Sequence, residues 1–396
     1  MPFSDRTRLI ASATARGAGR RPVSPPIERA STLLNDDPAR MADAADGPVY
    51  GLDGTGAARA LRAAIADLEG AADSWLTPSG LAAVTVPLMA LLKPGDAVLA
   101  SDGLYGPTRR FLTRWMAARG VTTRFHPAGA DVAAIVDLLT PATRVVLIES
   151  PSSLTFEMTD VPALAAACRG RGVLTVMDNA WGAGLAFRPL AHGVDVSVQP
   201  LTKYAAGHSD LLMGAISVRD PAVGRRIAET IEDQGWHVSP DDAWLALRGL
   251  RTLPLRYAEQ EASARRVAQW LAAQPEVARV LWPALPGDPG QGLWARDYSG
   301  AASLFGLVMR GGNETRAHAL MRGLTLFGLG YSWGGFESLI TYETPQMAQR
   351  RHPPVLEGPL LRLHVGLEDP EDLIADLEIG LAAWRAHQDS NLEPSA

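Results

Sequence analysis

At 396 residues and 42.1 kDa, with 47% hydrophobic and 20% charged side chains, the chain has the composition of an enzyme-sized globular protein of two or three domains. Its net charge of −6 comes from interspersed signs, without the basic stripe of a nucleic-acid binder, and no apolar run is long enough for a membrane span. The single cysteine, Cys168, excludes an intrachain disulfide and fits a reducing cytoplasm; its alanine-rich helical setting reads as a buried side chain, not a nucleophile.

Residues 1–22 are arginine-rich and acid-poor but lack an apolar face, which predicts a flexible N-terminal extension. Residues 23–60, rich in Pro, Gly and Asp, read as an extended arm followed by a turn. "LRAAIADLEG" is an amphipathic helix closed by Gly70. "DAVLAS", "TRVVLIES", "GVLTVMDNA" and "VDVSVQP" are short Val/Leu/Ile runs between helical segments, the pattern of buried strands in a parallel sheet. Residues 241–274 read as one long helix kinked near Pro254, leading to a smaller domain with strands in "ASLFGLVMRG" and "LLRLHVGLED". "DPEDLIADLEIGLAAWRAH" is the closing helix, capped by Asp369 before Pro370, and the last ten residues read as a solvated tail. The expected division is an arm over 1–53, an α/β domain over 54–245 and an α+β domain over 246–396.

Of 37 basic residues only two are lysines. Lys93, in a Lys-Pro-Gly turn, reads as a surface residue. Lys203 follows "VDVSVQP" at a strand's carboxyl end, where α/β sheets bind ligands. Arginine stays protonated, whereas lysine can lose its proton and attack a carbonyl. Asp178 ends another strand, so the two can share a crevice. Such a pair is either a structural ion pair or what pyridoxal phosphate (PLP) requires: an amine for its aldehyde and a carboxylate for its ring nitrogen. "LTPSGLAAV" opens a helix whose free N–H groups at Gly80 and Leu81 suit a phosphate. Tyr105, in "LYGPT", follows another strand end and suits stacking on a flat ring.

Together these segments resemble the cysteine/methionine-metabolism family of PLP-dependent enzymes, over roughly residues 22–385. "TKYAAGHSD", "MDN", "PSGLAAV", "LYGPT", "RGLRTL" and "LLRLHVGLED" carry the likeness. It implies the fold-type-I, aspartate-aminotransferase-like α/β architecture: a mostly parallel central sheet with helices on both faces, plus a smaller α+β domain. "ESPSSLTFE", with Ser153-Leu154, and Trp333 in "YSWGGFESLI" resemble the β-lyases within the family. The implied activity is a carbon–sulfur lyase that β-eliminates L-cystathionine to homocysteine, pyruvate and ammonia; related S-substituted cysteines are alternative substrates. Cysteine-S-conjugate β-lyase, cystathionine γ-lyase and γ-synthase are the neighbouring activities, and a non-catalytic PLP-binding protein is a further reading.

By the same resemblance, Lys203 anchors PLP and acts as base, Asp178 holds the pyridine nitrogen, and Tyr105 stacks on the ring and assists proton transfer. Gly80, Leu81, Thr202, Ser153 and Tyr50 contact the cofactor. Arg362 binds the substrate α-carboxylate with help from Ser332 and Trp333. The arm bearing Tyr50 reaches a neighbouring subunit, and two such dimers form a tetramer. Four positions depart from the family: Leu52 replaces an arginine of the arm, Ala180 follows "DN", and Pro200-Leu201 precede Thr202. Arg59 is a candidate to compensate.

One rival comes from another class. "GYSWG" at 330–334 fits G-x-S-x-G, with Glu337, Glu343 and His364 following in the order of a Ser-acid-His hydrolase. The segment lacks the strand, helix and oxyanion motif such an elbow needs. The eight histidines are scattered without HExxH, so no metal site is expected. "GTGAAR" puts Arg59 where a dinucleotide fingerprint needs glycine.

Overall fold

The computed structural model describes residues 3–12, 20, 22–41, 43 and 47–389. Seven strands form the larger sheet: β1 (Asp73–Thr77), β2 (Ala97–Ser101), β3 (Thr122–His126), β4 (Thr143–Glu149), β5 (Leu174–Asp178), β6 (Val196–Gln199) and β7 (Gly214–Val218). Their order is β1-β7-β6-β5-β4-β2-β3. Only β7 runs against its neighbours. The apolar runs explain the burial. Val98 and Ala100, Val145 and Leu147 pack into one core, while Leu99, Val146 and Ile148 pack into another. Alternation along each strand thus feeds two opposite layers of helices, as a parallel sheet requires.

The smaller sheet contains β8 (Val277–Leu281), β9 (Leu304–Met309), β10 (Gly328–Leu329), β11 (Leu339–Tyr342) and β12 (Leu360–His364), in the order β10-β11-β12-β9-β8. The closing helix Pro370–Asp389 packs Trp384, 1% exposed, into the main core. Asp369 caps it by accepting from the Glu371 amide at 2.9 Å. Among the described residues no helix is long and apolar enough to cross a membrane.

Three expectations are corrected. Residues 241–274 are two helices, Pro240–Leu250 and Leu253–Ala272, rather than one kinked helix. Pro254 lies in the first turn of the second, where a missing N–H breaks no helical bond. Within the N-terminal extension, Asp5–Ser12 is helical and buries Leu9 in the core, with Arg8 paired to Asp67 at 3.3 Å. The closing helix runs through Asp389, so the expected tail shortens; residues 390–396 lie outside the described residues.

The arm lies along helix Pro240–Leu250: Trp244 Nε1 donates to the Pro25 carbonyl at 3.2 Å, and Arg29 pairs with Asp241. Cys168 is fully buried, and burial pushes its thiol up to about 11, so it packs rather than reacts.

Candidate active site

The carboxyl ends of β2, β4, β5 and β6 converge on one crevice. β6 ends at Gln199 because Pro200 has no N–H for the ladder. The chain then turns tightly: the Lys203 amide donates to the Pro200 carbonyl at 3.0 Å, and Gly207 returns a bond to the Lys203 carbonyl at 2.8 Å. This turn delivers the amine inward. Lys203 Nζ donates to Ser332 Oγ at 2.7 Å and lies 3.9 Å from the centroid of the Trp333 ring. Burial, reinforced by the Arg362 charge and opposed by Asp178, pulls this amine down to about 7. Near neutral pH about half of such amines are uncharged and nucleophilic.

Asp178 ends β5, and its Oδ1 accepts from the Ala180 amide at 3.0 Å. Burial raises its carboxyl to about 6, opposed by that amide and by Lys203. Beside it, in register on β4, is Glu149. Glu149 Oε2 accepts from the Tyr105 amide at 2.7 Å, which ties the tyrosine to the sheet. Burial raises the Glu149 carboxyl well above the usual range, with the Asp178 charge adding to the effect. Tyr105, 38% exposed, has its hydroxyl raised first by burial and then by these two carboxylates, against Arg362 and Arg110. Glu149 had not been singled out from the sequence. The signal was available, because it ends "TRVVLIES" just as Asp178 ends its own strand.

The smaller domain supplies the opposite wall. All five residues of β12 are buried, Arg362 among them at 7% exposure. Its Nε lies 3.7 Å from Glu343 Oε1 and its guanidinium carbon 5.1 Å from the Trp333 ring centroid. Trp333 Nε1 is buried with no hydrogen-bond partner among the described residues. A partnerless indole N–H beside a buried guanidinium suits a carboxylate. Ser332, at φ +109°, has a backbone that non-glycine residues rarely adopt, a strain of about 1–3 kcal/mol.

This geometry contains no hydrolase triad. The Ser332 hydroxyl is engaged with Lys203, while His364 Nε2 accepts from the Gly334 amide at 3.0 Å and Nδ1 contacts Ser303 at 3.1 Å. Glu337 bonds Ser209, and Glu343 bonds Thr341 and Gln346. Only the two-residue β10 precedes Ser332, so the strand of a nucleophile elbow is absent from this segment.

Comparison with known proteins places the chain. Residues 6–382 match the family described as "Cys/Met metabolism PLP-dependent enzyme". The chain belongs to this family. Relatives include a cystathionine beta-lyase of Bordetella avium, 41% identical over 91% of this chain and 92% of that protein. Another is the cystathionine beta-lyase MetC of Escherichia coli, 40% identical over 95% of this chain and 98% of that one. The crystal structure of metB from Corynebacterium glutamicum superimposes with a TM-score of 0.90 at 28% identity, covering 96% and 98% of the two chains. The protein is thus a PLP-dependent carbon–sulfur lyase of the Cys/Met metabolism family.

Several features of the crevice fit PLP. The helix Gly80–Leu91 begins beside the lysine turn, and a Cβ on Gly80 would stand 2.5 Å from Pro200 Cβ. Ser79 Oγ accepts from the Ala82 amide at 3.1 Å, leaving the first N–H groups, at Gly80 and Leu81, for a phosphate. Thr202 is differently engaged: its hydroxyl donates to the Met213 carbonyl at 3.2 Å and accepts from the Met213 amide at 3.0 Å. Ser153 is fixed through its backbone, its amide donating to Gly103 at 2.7 Å and its carbonyl accepting from Arg350 at 2.6 Å. Tyr50 is 54% exposed on the arm. Leu52 and Arg59 both line a cavity of about 580 Å³ at the base of the arm.

Proposed function

We propose that the protein β-eliminates L-cystathionine, giving homocysteine, pyruvate and ammonia. The observation that carries this reading is one indole, Trp333, contacting both the Lys203 amine at 3.9 Å and the Arg362 guanidinium at 5.1 Å. A base and a carboxylate clamp are thereby held at a fixed separation over one rigid plate. Two relatives named cystathionine beta-lyase, at 41% and 40% identity, support it.

Bound PLP supplies an aldehyde for the substrate amine and a ring that withdraws electrons from the Cα–H bond. In this proposal Lys203 is the anchor. Asp178 holds the ring nitrogen, Gly80 and Leu81 hold the phosphate, and Tyr105 packs on the ring with Glu149 fixing its backbone. Arg362 and Trp333 Nε1 orient the α-carboxylate, and Ser332 steers the lysine amine. Lys203, about half of it neutral at pH 7, removes the Cα proton in that neutral form; the Cβ–S bond breaks and the amine returns a proton to sulfur. The released aminoacrylate takes up one water to become pyruvate and ammonia.

The reading extends to assembly and setting. The exposed arm with Tyr50 would complete a neighbouring subunit's site within a dimer of dimers, and the lone buried Cys168 suits a reducing cytoplasm. Incubation with L-cystathionine is expected to release pyruvate and thiol in equal amounts. 2-Oxobutyrate instead would move the cleavage to Cγ, and no keto acid at all would leave a non-catalytic binder.

A further inference from the structure

His364 is buried behind the crevice, and none of the proposed steps uses it. It sits on β12 two residues after Arg362, so alternation puts both side chains on one face of the strand. Nε2 accepts from the Gly334 amide at 3.0 Å, and Nδ1 meets Ser303 Oγ at 3.1 Å. The Gly335 carbonyl, 3.4 Å from Nε2, already accepts from Gln260 Nε2 at 2.6 Å. The ring is therefore neutral, with its proton on Nδ1 and its Nε2 lone pair aimed at Gly334. Burial, with the charges of Arg362 and Lys203, pulls the imidazole down to about 3, which keeps that state at neutral pH.

The amide it holds belongs to the loop that covers Lys203. Gly334, at φ +79°, lies so close to the lysine turn that a Cβ would stand 2.6 Å from the Tyr204 nitrogen and 2.9 Å from the Lys203 carbonyl carbon. The two residues before it, Ser332 and Trp333, make the contacts to the Lys203 amine. From the other ring nitrogen the contacts return to the same turn. Ser303 Oγ lies 3.4 Å from the hydroxyl of Tyr204, the residue after Lys203. Tyr204, Ser303, His364 and Gly334 thus close a circuit around the amine, and His364 ties that circuit to the strand carrying Arg362.

We propose that His364 is the positioning residue that sets Ser332 and Trp333 over the Lys203 amine, acting through the Gly334 amide. The inference rests on the reading of Lys203 as anchor and base. Without an acceptor at Nε2 the Gly334 N–H is left unbonded, and the loop must shift to reach water. The indole then lifts from the amine, water reaches it, and Lys203 returns toward an ordinary lysine. Less of it is neutral at pH 7, and less can act as base.

Two variants separate the two ring nitrogens. A glutamine reaches as far as Nε2, so His364→Gln keeps an acceptor for Gly334. An asparagine ends near Nδ1, so His364→Asn keeps the Ser303 contact and drops Gly334. Asp178 and Arg362, the charges that act on Lys203, are unchanged in both. PLP uptake by each apoprotein is followed against pH. The Gln variant is expected to keep the wild-type midpoint. In the Asn variant the midpoint should rise enough to slow uptake near pH 6 by about tenfold. A merely structural role would lower the melting temperature of both variants and leave the midpoint in place. An Asn midpoint equal to that of the wild type, or a Gln midpoint displaced as far as the Asn one, overturns the assignment. Should the Asn variant fail to fold, nitrogen NMR of the wild-type imidazoles decides. The ring whose signal is missing in the Gln variant should be protonated at Nδ1 and bare at Nε2 from about pH 5 to pH 8, and a proton on Nε2 overturns the assignment. If borohydride fixes no pyridoxyl group on Lys203 of the wild type, the anchor reading fails instead, and the same spectra still decide whether His364 holds Gly334.

Discussion

Glu149 and Asp178 are register partners at the ends of adjacent parallel strands, two carboxyls on one floor. Two negative charges that close are disfavoured, and the Asp178 charge raises the Glu149 carboxyl further above its usual range. Glu149 is thereby the member that keeps its proton while Asp178 ionises through about 6.

Glu149→Gln mimics that protonated state, and its amide oxygen can still accept from the Tyr105 amide. Activity near neutral pH should stay within about threefold of wild type, whereas Glu149→Ala, which frees Tyr105, should lose tenfold or more. On the alkaline side wild-type Glu149 gains a charge as pH rises through its raised value, and the Gln variant cannot. Its pH–rate profile should hold its plateau to higher pH. A profile identical to wild type would dismiss this assignment.

The amine of Lys203 gives a second test. Held at about 7, it is largely neutral by about pH 8, where an ordinary lysine near 10.5 is almost wholly charged. Uptake of PLP by the apoprotein, followed by absorbance, should accelerate through pH 7 and level off above it. The Arg362 charge is one cause of the depressed value. Arg362→Met should therefore move the midpoint upward, and a downward or null shift would contradict the stated cause.

Gly80 makes the close approach of a helix N-terminus to the lysine turn. A Cβ there would meet Pro200, whose ring cannot swing aside. Gly80→Ala should displace the amides proposed to hold phosphate and weaken PLP binding by about tenfold or more, read by titration of the apoprotein. An unchanged Kd would remove Gly80 from the cradle.

Much of this was legible in the sequence for a physical reason. Buried parallel strands are written as short Val/Leu/Ile runs, and their ends mark the crevice, so Lys203, Asp178 and Tyr105 could be located without coordinates. Contacts across long separations could not. Ser332 meets Lys203 across 129 residues, and Trp333 joins Lys203 to Arg362 from a loop without periodicity. The Thr202 hydroxyl, expected at the cofactor, is engaged by the Met213 backbone, a pairing the linear pattern does not show. The break at Arg251–Thr252 was hidden likewise, because the junction is bridged by a buried arginine of the next helix, which bonds Gly249 and Thr252.

That arginine, Arg256, carries the last prediction. It is 8% exposed and binds the Tyr204 and Gly249 carbonyls at 2.8 Å, the Ala205 carbonyl at 3.3 Å and Thr252 Oγ1 at 3.1 Å. One side chain thus ties the lysine turn to the junction of helices Pro240–Leu250 and Leu253–Ala272. Burial pulls it down to about 10, so it is still charged at neutral pH. Arg256→Met fills the stem but takes the donor from the Tyr204 and Ala205 carbonyls, while Gly249 still accepts from the Thr252 amide at 3.0 Å. Relief from burying a charge offsets part of that loss, for a net destabilisation of about 3 kcal/mol. Urea unfolding should show a lower midpoint at unchanged slope, and the folded fraction should hold PLP less tightly because the turn presenting Lys203 has lost its tie. Arg256→Lys, with one compact charge in place of the planar fork, should fall between. If the Met variant unfolds at the wild-type midpoint, the lysine turn is held by its own backbone bonds, and the second helix is not what positions it.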